Sequence, residues 1–183
     1  MLDSAFHIET KRLLLRKMDP ELHKYVFTQL NEAEQKAFFG HESDDSMTKE
    51  IQMFKEGLTC YNRSFCIFHL VEKASQKTIG WCGFHIIATK HDRAEIGYVI
   101  HDKNNWGKGY MKEALREVLC YGFDELKFHR IEALTGKENF VSQKLLKDRG
   151  FIYEGLLREH YFTNNVYEDS MMFSLMEKEL IRN

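Results

Sequence analysis

Apolar and polar residues alternate from Arg93 to Ile100, placing Glu95, Gly97 and Val99 on one face of an extended segment and Ile96, Tyr98 and Ile100 on the other. After a short polar link, His101 to Asn105, the period changes. Met111, Ala114, Leu115, Val118, Leu119 and Gly122 recur at the spacing of one helical face. Between the two periods stands Trp106-Gly107-Lys108-Gly109-Tyr110-Met111, so a strand runs through a glycine turn directly into an amphipathic helix.

The same two periods divide the rest of the chain. Arg12, Leu14 and Arg16 alternate with Leu13 and Leu15 in a first strand, and Asp19 before Pro20 has the order of a helix cap and first helical residue. Leu22, Tyr25, Val26 and Leu30 form the apolar stripe of that helix, Gly40 to Ser46 is a polar loop, and Ile51, Phe54 and Leu58 mark a second helix. Phe65 to Val71 and Thr78 to Ala88 are predicted as a hairpin across the polar turn Glu72 to Lys77. A strand at Arg130 to Thr135, a helix from Asn139 to Arg149 and a last hairpin turning at Asn164-Asn165 complete the pattern. Strands and helices do not alternate strictly, which points to an α/β (α+β) architecture, a central mixed sheet flanked by helices.

Gly107 and Gly109 let the backbone approach a ligand closely, and the first amides of the following helix have no partner within it. An anion such as phosphate can fill that place, favoured by the helix dipole. Tight-turn geometry alone would also account for both glycines. The triphosphate loop is excluded by spelling, because Lys108 is followed by Gly109 rather than Ser or Thr. A dinucleotide fingerprint lacks its third glycine, whose place Lys112 takes, although Glu132 stands near the distance of a ribose-binding acid.

The stretch around Gly107 and Gly109 resembles the acetyl-coenzyme A signature of the GNAT superfamily of N-acetyltransferases, whose consensus is Gln or Arg, two residues, Gly, one residue, then Gly or Ala. Asn104 occupies the first position and departs from it. The resemblance continues through Asn139 to Leu146, Gly150-Phe151 and Glu154-Gly155, which look like the second cofactor-binding segment of that superfamily. Glu9 to Arg16 is similar to the opening strand of its ribosomal-protein acetyltransferase branch, and Leu157 to Tyr161 with Asp169 and Phe173 to Leu175 is similar to that branch's closing hairpin.

The resemblance implies the GNAT fold, with a central mixed, mostly antiparallel sheet, and acetyl transfer from acetyl-CoA to an amine, a protein N-terminus or a small molecule. It also implies a set of site residues. Glu95 matches the general-base glutamate of histone-modifying members. Trp106, Gly107, Lys108, Gly109, Tyr110 and Met111 would hold the pyrophosphate, and the strand edge at Tyr98, Val99 and Ile100 would carry the pantetheine arm, with a backbone amide near Val99 or Ile100 at the thioester carbonyl. Asn139 would orient that arm. Many members place a tyrosine seven residues after this asparagine, where Leu146 stands here; Ser142 carries the nearest suitable hydroxyl and resembles the serine used in the ribosomal-protein branch, which implies a hydrogen bond to the sulfur. Lys108, Lys144 and Lys147 are further cations for the phosphates, dimerisation is suggested by related members, and no metal is expected.

Composition adds bounds. At 183 residues and 43% apolar, one domain spanning 1–183 is expected. A net charge of −2 gives no broad attraction to nucleic acid or anionic membrane. Cys60, Cys66, Cys82 and Cys120 and the nine histidines lack metal-ligand spacing. No basic segment followed by a long apolar run opens the chain, and a cytoplasmic location is the expectation. Phe38, Phe39, Trp81, Phe84, Tyr161 and Phe162 are candidates for an acceptor groove, and His41, Glu42, Asp44 and Asp45 for attracting a cationic amine, although aromatic residues at such spacings are more often core and a solvated charge cluster is the commoner case. Two readings outside the enzyme class of acetyl transfer stay open at this point: an acyl-coenzyme A sensor without turnover, and a dinucleotide oxidoreductase.

Overall fold

A computed structural model describes residues 7–39, 47–48, 51–52 and 64–182. Strand β1 (His7–Glu9) turns back into β2 (Leu13–Met18), so the opening segment is two short antiparallel strands rather than one. Helix α1 (Pro20–Gln29) begins where expected, with the Asp19 carboxylate accepting from the Leu22 amide at 3.0 Å. Its buried stripe is His23 and Val26, while Leu22, Tyr25 and Leu30 are only half-buried. A helix that the pattern does not predict, α2 (Glu32–Phe39), comes next. Residues 47–48 and 51–52 are helical, and the expected loop at Gly40 to Ser46, Phe54 and Leu58 lie outside the described residues.

Strands β3 (Ser64–Glu72) and β4 (Thr78–Ala88) form the expected hairpin, and β5 (Arg93–Ile100) pairs antiparallel with β4. Helix α3 (Tyr110–Asp124) crosses over to β6 (Arg130–Gly136), which runs parallel to β5. Helix α4 (Phe140–Lys147) leads to the long hairpin of β7 (Ile152–Thr163) and β8 (Val166–Met176), with Asn164 and Asn165 at positive φ of 51° and 62°. The eight strands lie in the order β1-β2-β3-β4-β5-β6-β8-β7.

The main core is the apolar face of α3 set on the sheet: Leu115, Val118 and Leu119 pack with Leu15, Phe68, Leu70, Phe84 and Ile131. Each of these fully buried side chains stabilises the fold by about 1.5–3 kcal/mol. Gly122 belongs to this stripe because a Cβ there would lie 2.5 Å from the Phe84 ring. A second cluster holds Met18, Val26, Phe38, Phe39, Met47 and Phe65. Phe38, Phe39 and Phe84 are thus core residues.

Two irregularities in the sheet shape the space beside β5. The parallel pairing of β5 with β6 covers only Arg93↔Arg130, Ala94↔Ile131 and Glu95↔Glu132, after which the strands diverge and leave facing edges unpaired. In β4 the register shifts between Phe84, opposite Ile96, and Ile86, opposite Glu95, so His85 is an extra residue in a β-bulge.

Candidate active site

Gly107 and Gly109 stand at φ 72° and 78°, and Gly109 is the left-handed cap of α3. A side chain in that region is strained, so glycine is the residue the turn requires. Nothing lies within 4 Å of a Cβ built at Gly107. The Glu113 amide donates to the Gly109 carbonyl at 3.1 Å, which leaves the preceding helical amides, of Tyr110, Met111 and Lys112, without an acceptor inside the helix.

The turn is braced from the β1–β2 turn. Arg12 donates from Nη1 to the Lys108 carbonyl at 2.8 Å and from Nε to the Glu113 carboxylate at 2.7 Å, and its guanidinium lies 4.4 Å from the centre of the Tyr110 ring. Thr10 Oγ1 and the Arg12 amide also donate to Glu113, at 2.5 and 2.8 Å. These contacts hold the Glu113 carboxyl below its ordinary value, although its partial burial opposes the shift. Tyr110 donates its hydroxyl to Glu72, and Met111 is half-buried against the core. Trp106 Nε1 donates to the Ile100 carbonyl at 3.0 Å. Asn104, at the departing motif position, is engaged locally, its amide donating to Asp102 Oδ1 at 2.8 Å. Lys108 and Lys144 are occupied by Asn105 and Asp148, both at 3.1 Å.

From the turn the unpaired edge of β5 runs into a cavity of about 420 Å³ between β5 and β6, closed by α4 and the β7–β8 hairpin. The His101 amide donates to the Ile79 carbonyl on the β4 side. Because successive peptide groups of a strand point to opposite edges, Val99 faces β4 as well, and the amides of Tyr98 and Ile100 face the opening. Of the two amides expected near the thioester carbonyl, the register therefore turns only that of Ile100 towards the seam.

One side of the cavity carries Tyr98, Thr135, Asn139 and Ser142. The Asn139 carboxamide oxygen caps α4 by accepting from the Ser142 amide at 3.1 Å, and this places the Ser142 hydroxyl 2.7 Å from that of Tyr98. Burial pushes the Tyr98 phenol up to about 12, with the Ser142 hydrogen bond acting against it. Thr135 is 7% exposed and its Oγ1 has no hydrogen-bond partner among the described residues. Leu146, in the place of the common tyrosine, is fully buried.

The other side carries Glu95, which accepts from or shares a proton with His85 Nε2 at 3.1 Å, together with Trp81, Tyr161 and Glu168. Burial and then the Glu95 charge raise the Tyr161 phenol. Asp169 also lines the cavity and is paired with Lys137 at 2.6 Å. Of the aromatic candidates, Trp81 and Tyr161 reach the cavity. Phe162 is exposed outside it, and His41 to Asp45 lie outside the described residues. Sequence reasoning misses His85, Thr135 and Glu168; the one signal for His85 is a polar residue that breaks the apolar run of Phe84 to Ile87.

Glu132 is held in ion pairs with Arg93 and Arg130 at 2.5 and 2.9 Å, far from the posture of a ribose ligand. Cys66 and Cys82 are buried thiols, both pushed up by burial, Cys66 to about 12. Among the described residues no group of three or more His, Cys, Asp or Glu is placed to hold a metal ion, and no helix is long and apolar enough to cross a membrane.

Comparison with known proteins agrees with this geometry. Over 93% of its length the chain is 33% identical to the uncharacterized N-acetyltransferase YoaA of Bacillus subtilis (strain 168), covering 96% of that protein. It is 32% identical to a spermidine N(1)-acetyltransferase of Vibrio cholerae over 62% of this chain and 65% of that one. Among solved structures, the ribosomal-protein-S5-alanine acetyltransferase of Vibrio fischeri superposes with a TM-score of 0.66 at 20% identity, over 96% of this chain and 99% of that one. Residues 12–152 match the acetyltransferase (GNAT) domain, and with the glycine turn, the parted strands and the mixed sheet between them, the chain belongs to the GNAT family of acetyltransferases.

Proposed function

We propose that the protein carries an acetyl group from acetyl-CoA directly to a primary amine inside the cavity between β5 and β6. The observation that supports this most is one continuous path. It begins at the free amides beyond Gly107 and Gly109, follows the open edge of β5 past Ile100 and Tyr98, and ends with Glu95 on one side and Ser142 on the other.

Acetyl-CoA supplies the activated thioester when bound. Trp106 to Met111 hold its pyrophosphate through main-chain donors and the α3 dipole. The Asn139 segment orients the pantetheine arm, and the Thr135 hydroxyl fits the same function. A buried hydroxyl without a partner costs about 1–3 kcal/mol, a cost removed when a polar ligand group arrives. The Ile100 amide polarises the carbonyl. Ser142 donates to the departing sulfur, and Tyr98, held protonated through the neutral range, backs Ser142 with its own hydroxyl. Glu95 acts as the general base for the acceptor ammonium.

The acceptor read from the resemblance to the ribosomal-protein branch is a protein N-terminal amine. A small polyamine is the second reading, favoured by Glu95 and Glu168 in the cavity lining, Asp169 being already paired with Lys137. Purified protein incubated with acetyl-CoA and matched panels of N-terminal peptides and polyamines, followed by thiol release and product mass, is the test. Saturable thiol release with one panel assigns the acceptor. Saturable coenzyme A binding with no release on either panel overturns transfer in favour of a sensor.

A further inference from the structure

Within Gly80 to Ala88, the span of β4 that pairs with β5, His85 is the one residue without a partner, and the bulge it occupies places it on the same face as Glu95. Trp81 pairs with Val99, Gly83 with Gly97, and Ile86 with Glu95, so all of these side-chain positions share one face of the sheet. Regular alternation would have turned one of the neighbours His85 and Ile86 to the α3 side. The extra residue instead sets His85 and Ile86 consecutively on the cavity side, where the ring reaches Glu95 at 3.1 Å. Gly97 makes the room. A Cβ there would lie 2.9 Å from His85 Nδ1 and 3.1 Å from the Trp81 ring.

We propose that His85 and Glu95 form the base together, with His85 Nδ1 receiving the proton that leaves the acceptor amine. This rests on the acetyl-transfer reading and divides its base between two residues. The Glu95 carboxylate can only accept, so a neutral His85 donates Nε2–H to it, which fixes the tautomer and leaves the Nδ1 lone pair as the proton acceptor. The ring side is also the wetter one: the His85 side chain is 36% exposed and that of Glu95 15%. An imidazole is closer to neutrality in proton affinity than a carboxylate, which suits it to a base that must work and reset near neutral pH.

The protons balance. As the N–C bond forms and the C–S bond breaks, an alkylammonium becoming an amide gives up two protons. One is accounted for by the thiol, on the Ser142 side, and the other by His85, which returns it to water. Among the described residues, the titratable groups that line the cavity with His85 are Glu95 on β5, Tyr161 on β7, and Glu168 and the Lys137-paired Asp169 on β8.

The test is the pH profile of kcat/KM for His85→Gln, His85→Ala and Glu95→Gln with the best acceptor, alongside coenzyme A affinity by calorimetry. His85→Gln keeps a donor to Glu95 but no base, and is expected to lose about a hundredfold in kcat at neutral pH, recovering as pH rises and the amine deprotonates itself. Glu95→Gln keeps His85 as the proton acceptor and is expected to retain turnover with a rising limb that His85→Gln has lost. Added imidazole restores turnover to His85→Ala. Unchanged coenzyme A affinity in all three shows an intact fold. If His85→Gln keeps the parent profile while Glu95→Gln abolishes turnover, the carboxylate is the base alone and the proposal fails. If the parent protein turns over no amine, the acetyl-transfer reading fails instead.

Discussion

Tyr98 and Ser142 stand 44 positions apart and meet at 2.7 Å, a pairing that gives the cavity a hydroxyl where the common tyrosine has become Leu146. With burial pushing Tyr98 up to about 12, its phenol stays a donor across the neutral range. Ser142→Ala is expected to lower kcat by about tenfold to a hundredfold, as loss of one donor to a developing negative charge does, with the KM for acetyl-CoA little changed. Tyr98→Phe should cost less, and the double variant no more than Ser142→Ala alone, because Tyr98 acts through the serine. Steady-state kinetics of the three variants checks this. A double variant whose losses multiply would assign Tyr98 its own contact with the substrate.

Among the elements, the glycine turn and its brace belong together. Arg12 reaches it from the β1–β2 turn, neutralises Glu113 in the first turn of α3, and donates to the Lys108 carbonyl. A carboxylate at that end of a helix would otherwise compete with an incoming phosphate for the same dipole. Replacing Arg12 by Met is expected to raise the KM for acetyl-CoA by about tenfold, equivalent to about 1.4 kcal/mol. The KM for S-acetyl-pantetheine, which lacks the pyrophosphate, should stay near the parent value. Equal losses on both donors would show that Arg12 serves the fold rather than the turn.

For the molecule as a whole, the parting of β5 and β6 opens the cavity, and the strands beyond it are tied by charge. Arg130 of β6 holds Glu154 of β7 through two hydrogen bonds at 2.8 and 2.6 Å, and Ser174 of β8 donates to the same carboxylate at 2.6 Å. These bonds, the arginine's first, lower Glu154 from 4.5 to about 2. A carboxyl lowered on folding contributes stability that is fully present above its unfolded value and is lost as pH falls towards its folded one. Urea midpoints of the parent protein should therefore decline between about pH 4.5 and pH 2, and those of Glu154→Gln should be lower at neutral pH with a shallower acid decline. Because the pair is partly open to solvent, the effect is modest. Identical pH dependence in the two proteins would exclude this tie as a source of acid sensitivity.

The local periods of the chain determined most of the elements, since a face that must be buried dictates its own spacing. The strand from Arg93 to Ile100, the helix after Gly109 and the hairpin at Asn164-Asn165 carry their boundaries in alternation, glycine and turn residues. Helix α2 does not, because its Glu-rich start and its two terminal phenylalanines give too few apolar positions to show a period. As candidates, Glu95, Ser142, Asn139 and the glycines were legible because each sits within a motif. His85 and Thr135 were not, for their meaning arises across strands: one from a register shift against Glu95, the other from a buried hydroxyl left without a partner among the described residues. What tertiary structure alone decided is the cavity itself. No residue in either strand announces that β5 and β6 separate after three pairs; that depends on how α3, α4 and the last hairpin pack around them, and so on contacts between residues far apart in the chain.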